Sequence, residues 1–581
     1  MNCLVLLLVL TGASSASKLP WYSQLWQAEQ SVLGFQENPY HEFSKEIKEV
    51  AVIGAGPAGL QHVVELREAG LNVRLFERKE HPGGNWHYQE EVALPEPHPQ
   101  PLASRAAFIP DLGPNPDSES VQHKLYQDGE DNLSLEDRLR EHAVPSSVWN
   151  NLHANSVSGI THFLASPLPL NTPWELSQWS IRRLVRAYAS NHELNSNDAE
   201  VSNITSYNTR VERVVKIGDK WRIRLRKLEL LPRTRQIEVT WWTETFDAVV
   251  IAAARSNAPF VPNIPGLEQW ASRYPAQVLH SRQYRRPEKY SNQTVLIVGA
   301  SISGSEIARD LFPLAGRIIT SVKDHSSTER SIFKKLAAHR IPEGVINLGE
   351  IASFSDLKPG DSISEGTVQL KNGTVLTGID SVILATGYVT SWPFISQFHN
   401  DTIHGTDDPD TEVAPIVNGD GKLRSIYLGT FYIPDPTLVV SAVRVWNVGP
   451  FSALAVAKVW SGKARLPNSR RMWEEHRGLI RAAGGPDSAQ LVGIGFGAPI
   501  TEFLFRKFVA WLNSEALIFG GKQTDTYPRE WREQWVNFAK VHWGPEFPIS
   551  LEDFNEAEDT GEAALGKRRF LDEVVAALEN Y

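Results

Sequence analysis

The chain has 581 residues, of which 41% are hydrophobic and 22% charged, and a formal net charge of −10. That length predicts two or three domains, and the composition is ordinary for a folded globular protein. The acidic balance argues against a nucleic-acid partner, because phosphate binding needs a basic face. The one cysteine, Cys3, excludes an intrachain disulfide, a cysteine-based zinc or iron–sulfur site, and the redox pair of a flavin disulfide reductase.

At the N-terminus an apolar run, Leu4 to Leu10, is followed by small residues from Thr11 to Ser17. The run is shorter than the roughly 20 residues that span a bilayer. It reads as a signal peptide covering residues 1–16, cut after Ala16, although no Lys or Arg precedes it. The expected destination is the secretory pathway, secreted or in the ER lumen; a chain that keeps its N-terminus would be cytoplasmic. No second membrane-spanning candidate follows. Sequons at Asn132, Asn203, Asn292, Asn372 and Asn400 fit secretory entry.

A short apolar strand, Glu49 to Ile53, then runs into Gly54-Ala55-Gly56-Pro57-Ala58-Gly59 and a helical pattern. Gly54 permits the tight turn. Gly56 lets the backbone approach a pyrophosphate seated on the helix N-terminus, and Gly59 lets helix and strand pack closely. The next strand, Asn72 to Phe76, ends at Glu77, whose carboxylate suits ribose hydroxyls. Gly83-Gly84-Asn85-Trp86 follows, a loop suited to pass close to a bulky cofactor at Gly84. Trp86 is singled out among the 18 tryptophans as a residue to stack on a flavin.

A Pro-rich stretch, Leu94 to Pro116, precedes two predicted strands, Trp221–Leu230 and Gln236–Trp242. The alternation Trp221-Arg222-Ile223-Arg224-Leu225-Arg226 predicts an antiparallel ribbon with one wet face. A buried strand from Phe246 to Ala252 comes next. The second dinucleotide unit begins at Val295–Val298 and turns at Gly299-Ala300-Ser301-Ile302-Ser303-Gly304, with Ser301 in the middle-glycine position. Its following strand, Ile318 to Val322, ends at Lys323. An acid at this place suits an unphosphorylated ribose and a base suits a 2′-phosphate. The first site is therefore assigned FAD and the second NADPH, with Asp324 beside Lys323 leaving NADH as the alternative. A strand from Ile379 to Ala385 closes the unit at Thr386-Gly387-Tyr388. Beyond residue 465 the pattern is helical and carries no motif.

Two dinucleotide sites imply hydride flow from nicotinamide to flavin. At these residues the chain resembles the flavin-containing monooxygenases, fungal members especially, over about residues 47 to 467. The family's identifying stretch resembles Tyr274 to Tyr284, with His280 inside it, and its hinge resembles Ala385-Thr386-Gly387-Tyr388. The resemblance implies a flavin-side asparagine at Asn155, in Leu152-His153-Ala154-Asn155, a backbone contact to adenine at Val211, and a hinge contact at Thr386. Ala276, Ala253-Ala254 and Ser158 depart from the family's pattern. Baeyer–Villiger relatives would carry Trp at Tyr284, which favours heteroatom or alkene oxygenation.

The expectation is an α/β chain with two Rossmann-like domains. The FAD domain occupies residues 47–255 and 385–465, the NADPH domain is inserted at 256–384, and a helical extension covers 466–581. The resemblance implies that NADPH reduces the flavin and that a flavin hydroperoxide passes one oxygen of dioxygen to a small soft nucleophile, with secondary metabolism as the setting. Alternatives are a Baeyer–Villiger enzyme, a flavin oxidase or dehydrogenase, and a non-catalytic secretory-pathway flavoprotein. The sequence leaves oligomeric state and substrate open.

Overall fold

A computed structural model describes residues 38–95, 99–164, 166, 168–169, 171–195, 203–255, 257–322, 340–404, 414–441, 449–482, 499–525 and 530–543. Residues 1–16, expected above to be a signal peptide and including Cys3, and Lys323 lie outside the described residues.

The chain lays down β1 (Glu49–Ile53), α1 (Pro57–Glu68) and β2 (Asn72–Phe76) as a parallel βαβ crossover. Then come β3 (Gln122–Tyr126), α2 (Leu135–His142), the antiparallel pair β4 (His153–Val157) and β5 (Glu175–Ser177), α3 (Gln178–Asn191) and β6 (Thr205–Ser206). Three long strands follow: β7 (Thr209–Ile217), β8 (Lys220–Leu231) and β9 (Gln236–Phe246). With β3 they form an antiparallel sheet of order β3-β9-β8-β7. β10 (Ala248–Ile251) then returns to pair with β1.

The chain leaves through β11 (Ala258–Pro259) into α4 (Leu267–Arg273), β12 (Val278–His280), β13 (Thr294–Val298), α5 (Ile302–Leu311), β14 (Arg317–Ser321) and β15 (Ile346–Leu348). A small antiparallel sheet, β16 (Ile351–Phe354), β17 (Thr367–Leu370) and β18 (Val375–Thr377), precedes β19 (Ser381–Leu384), which enters an all-parallel sheet between β12 and β13, in the order β12-β19-β13-β14-β15. β20 (Tyr388–Val389) leads back and pairs antiparallel with β11. After β21 (His399–Asn400) and β22 (Val417–Asn418), the strands β23 (Ile426–Tyr427), β24 (Phe431–Tyr432) and β25 (Leu438–Val440) complete the first sheet. Its order is β23-β24-β25-β10-β1-β2-β6. Helices α6 (Gly449–Trp460), α7 (Ser469–Ala482), α8 (Pro499–Phe519) and α9 (Glu530–Trp543) end the described chain. Among the described residues, no helix is long and apolar enough to cross a membrane.

The central strands are apolar throughout because both faces of the first sheet are covered. One face carries α1, α3 and α6 over a core that includes Val50, Val52, Leu60 and Val456; the other carries the antiparallel sheet over Ala51, Ile53, Ile223 and Leu225. One expectation needs correction here. The β8 ribbon does not have a wet face at Arg224 and Arg226, each only 2% exposed. The Pro-rich stretch folds over them. Arg224 donates to the carbonyls of Leu112 and Ser118 at 3.2 Å each, and Arg226 to the Glu141 carboxylate at 3.0 Å. Their alkyl stems are buried while each guanidinium finds an oxygen partner.

Candidate active site

Each dinucleotide turn is built by the same contacts. Gly54 has φ +104° and Gly299 φ +95°, a region that glycine occupies without strain. The Gly54 N–H donates to the Phe76 carbonyl and that of Gly299 to the Ser321 carbonyl, both at 2.8 Å. A Cβ on Gly59 would stand 1.8 Å from the Gly54 oxygen, and one on Gly304 2.0 Å from the Gly299 oxygen. Gly59, Gly299 and Gly304 thus lie under the turns and close helix against strand. Gly56 and Ser301 are the N-caps of α1 and α5, and neither end has a side-chain cap. The free N–H groups of both helices are left for an anion.

Around these turns is a cleft of about 990 Å³. Of the residues singled out from sequence, Gly54, Gly56, Glu77, Gly84, Trp86, Asn155, Val211, Ser301 and Thr386 all line it. Glu77 is 6% exposed; its carboxylate accepts from the Ala55 N–H at 2.8 Å and the Lys79 N–H at 2.9 Å. These bonds fix the carboxylate at the end of β2. A Cβ on Gly84 would come 2.9 Å from the Gly56 Cα, so the loop of Trp86 presses on the first turn. Val211 sits at a register shift between β7 and β8. The Asn155 side chain, on β4, forms no hydrogen bond with another described residue. Thr386 donates to the Phe260 carbonyl across the two crossing segments.

Sequence reasoning missed Arg78 and Lys79, which directly follow Glu77 and also line the cleft. Arg78 donates to Asn257 at 2.9 Å, and Lys79 Nζ lies 3.5 Å from the Gly84 carbonyl, beside the Gly56 turn. Burial, with Arg78 adjacent, pushes the Lys79 ammonium down to about 7. Two cations behind the strand-ending acid were the signal available in the sequence. His280 and Tyr284 face away from the cleft. His280 Nδ1 accepts from the Arg282 N–H at 3.2 Å, so the proton is on Nε2, which donates to the Gly387 carbonyl at 3.1 Å. Burial holds this imidazole down to about 3, and it braces the return crossing as a neutral group. Tyr284 is fully buried in the core of the second unit.

A model of the pyridine nucleotide-disulphide oxidoreductases matches residues 48–401. Flavin-containing monooxygenase iboF of Amanita muscaria is 37% identical over 520 residues, covering 87% of this chain and 94% of that protein. The chain belongs to the flavin-containing monooxygenase family. Flavin-containing monooxygenase ustF2 of Aspergillus flavus is 28% identical over 466 residues, 75% of this chain and 86% of that protein. Among solved structures, S-allyl-L-cysteine S-oxygenase from Allium sativum has a TM-score of 0.55 at 21% identity, covering 90% of this chain and 99% of that one. That likeness gives the fold, two dinucleotide-binding domains in one chain.

The monooxygenase is an oxidoreductase that uses FAD and NADPH. It shares the fold of the disulphide oxidoreductases without their chemistry, since Cys3 is its only cysteine. Its residues fit FAD on observations of the chain itself. A Cβ on Gly56 would meet only the Gly84 Cα, at 3.7 Å, so the space before the α1 N-terminus is open. Arg78 and Lys79 supply positive charge there, as a pyrophosphate requires.

Proposed function

We propose that this monooxygenase oxygenates a soft nucleophilic centre, a nitrogen, a sulfur or an electron-rich alkene carbon, of a small organic molecule in secondary metabolism. Bound FAD supplies the redox chemistry, taking hydride from NADPH and activating dioxygen. The chain's residues hold and shield it. The Gly56 turn and Glu77 bind the FAD pyrophosphate and ribose, Val211 meets the adenine through its backbone, and Trp86 stacks against the flavin. Ser301 and Lys323 receive NADPH.

The observation that carries the reading is a single cleft that joins both turns and Asn155. An uncharged amide with unspent hydrogen-bonding capacity can donate from Nδ2 and accept at Oδ1 without attracting the water a charge would bring. Asn155 is the residue proposed to keep the oxygen-activating edge of the site ordered and dry. Replacing it with leucine, close in size but unable to do either, should leave NADPH-driven flavin reduction near the parent rate. It should also raise the peroxide released per NADPH oxidised in the presence of substrate. An unchanged ratio with NADPH oxidation at the parent rate would make Asn155 a structural residue of β4 only.

Entry into the secretory pathway belongs to the same proposal. The sequon asparagines Asn132, Asn203, Asn292 and Asn372 are exposed, and so are open to a glycan. Protein from a eukaryotic host should begin at Ser17 and lose mass on deglycosylation. An intact Met1 on cytosolic protein would refute this route.

A further inference from the structure

The strand that carries Asn155 is anchored in the other domain. Trp149, just before β4, is 6% exposed and belongs to the core of the second unit with Tyr284, Tyr290, Ile307 and Leu311. Its ring meets that of Tyr284 edge-on at 5.9 Å. The Asn150 N–H donates to the Arg285 carbonyl at 3.0 Å. Asn151 Nδ2 donates to Asp310 Oδ1 at 2.9 Å, and the other Asp310 oxygen accepts from the Tyr284 hydroxyl at 2.6 Å. Asp310 lies on α5, the helix that begins at Ser301. One end of α5 faces the NADPH site, and roughly 12 Å along, at 1.5 Å per residue, the same helix holds the segment that leads into Asn155.

A side chain buried in a close-packed core moves with that core. Ala154, beside Asn155, is buried in the first unit's core while Trp149 is buried in the second's, so the short segment between them links the two units. We propose that Asn151 and Asp310 form a positioning pair through which the NADPH-binding unit sets the placement of Asn155. The state of that unit then governs how much of the reducing power ends in product rather than peroxide. The proposal rests on the reading of Asn155 given above. Asn151 is exposed and stands outside the cleft wall, so it can be altered without touching a bound molecule.

The test compares four variants of the FAD-loaded enzyme with the parent, Asn155→Leu alone and three that carry Asn151→Asp. Asn151→Asp sets a carboxylate against Asp310 and should raise peroxide per NADPH about threefold to fivefold, the scale of an exposed charge contact. Flavin reduction and FAD content should stay at parent values. Adding Asp310→Asn restores an amide–carboxylate pair in reverse and should return the ratio to the parent's. In a background of Asn155→Leu, the Asn151→Asp change should add nothing. A second readout needs no turnover: hydrogen exchange of the peptide spanning residues 149–157, with and without NADP⁺. Exchange should slow on binding in the parent and in the swapped pair, and not in Asn151→Asp. Uncoupling by Asn155→Leu alone, with Asn151→Asp at the parent ratio, would keep the Asn155 reading and overturn the pair. A rise with Asn151→Asp where Asn155→Leu has no effect would overturn the inference through Asn155. So would failure of the swap to restore the ratio.

Discussion

The two glycine turns are near copies in backbone and differ in sequence at three of their six positions, the middle one among them. Gly54 and Gly299 share a positive φ, and Gly59 and Gly304 share a contact that no Cβ could enter. The middle residue is glycine in one turn and serine in the other, yet both have extended backbone, φ −75° at Gly56 and −78° at Ser301. Any residue can adopt that conformation, so glycine at position 56 is there for room and not for its dihedral freedom. A Cβ on Gly84 would stand 2.9 Å from the Gly56 Cα, so the Gly84 loop lies against the first turn. The comparison teaches that the middle position reports how closely a ligand and a covering loop must approach, while the outer two report how helix and strand close.

The comparison breaks most visibly at Gly56→Val. If room is what the glycine supplies, the branched side chain displaces the pyrophosphate. Loss of two charge-assisted contacts at about 1.5–3 kcal/mol each would weaken FAD binding by about a hundredfold or more. Flavin absorbance of the folded variant measures it; a folded and fully yellow protein would contradict the reading. Lys79 gives the next effect. Its ammonium titrates near 7, and a bound dianion raises that value, so binding takes up a proton once the pH exceeds about 7. FAD affinity should fall as pH rises above 7, by up to tenfold per unit, and Lys79→Met should flatten that slope. Titration of the FAD-depleted enzyme at pH 7 and pH 8.5 checks the sign; a flat parent profile would remove Lys79 from the pyrophosphate site.

At the other unit, Lys323→Ala should raise the NADPH Michaelis constant by about tenfold, the value of one charge-assisted contact, and leave NADH nearly unchanged. Equal loss with both cofactors would point to damage to the domain. The smallest effect belongs to Ser301→Gly. Replacing an N-cap serine by glycine costs only about a few tenths of a kcal/mol, so NADPH kinetics should change less than about twofold. A larger loss would show that the Ser301 hydroxyl itself grips the phosphate.

What could be read from sequence follows from what is local. The glycine spacings, the strand-ending Glu77 and the β8–β9 ribbon depend on neighbours a few residues away, and the structure forms them where the pattern points. Non-local coverage was not legible. The alternation around Arg224 and Arg226 is that of a half-exposed strand, and only the Pro-rich stretch laid over it makes the face interior. Trp149 gives no local sign that it is buried in the second unit's core. Tyr284 sits in a motif near the junction, yet its hydroxyl is spent on Asp310. In each case a partner remote in the chain decides the outcome, and periodicity contains no information about it.

The crossing between domains also bears on how the chain folds. β10 must pair with β25 to finish the first sheet, and the entire second unit is threaded between them. For an unfolded insert, closing so long a loop costs entropy and slows assembly. Once the insert has its own core, β11 and β20 hold its two ends side by side, Ala258 opposite Val389. The outer sheet then meets a short connection instead of a long one. During synthesis, the NADPH-binding unit is complete before β25 emerges, so the natural order is insert first and FAD-binding sheet second. A lesion confined to the second unit's core should therefore delay the maturation of the flavin site, although it touches no residue that holds the flavin.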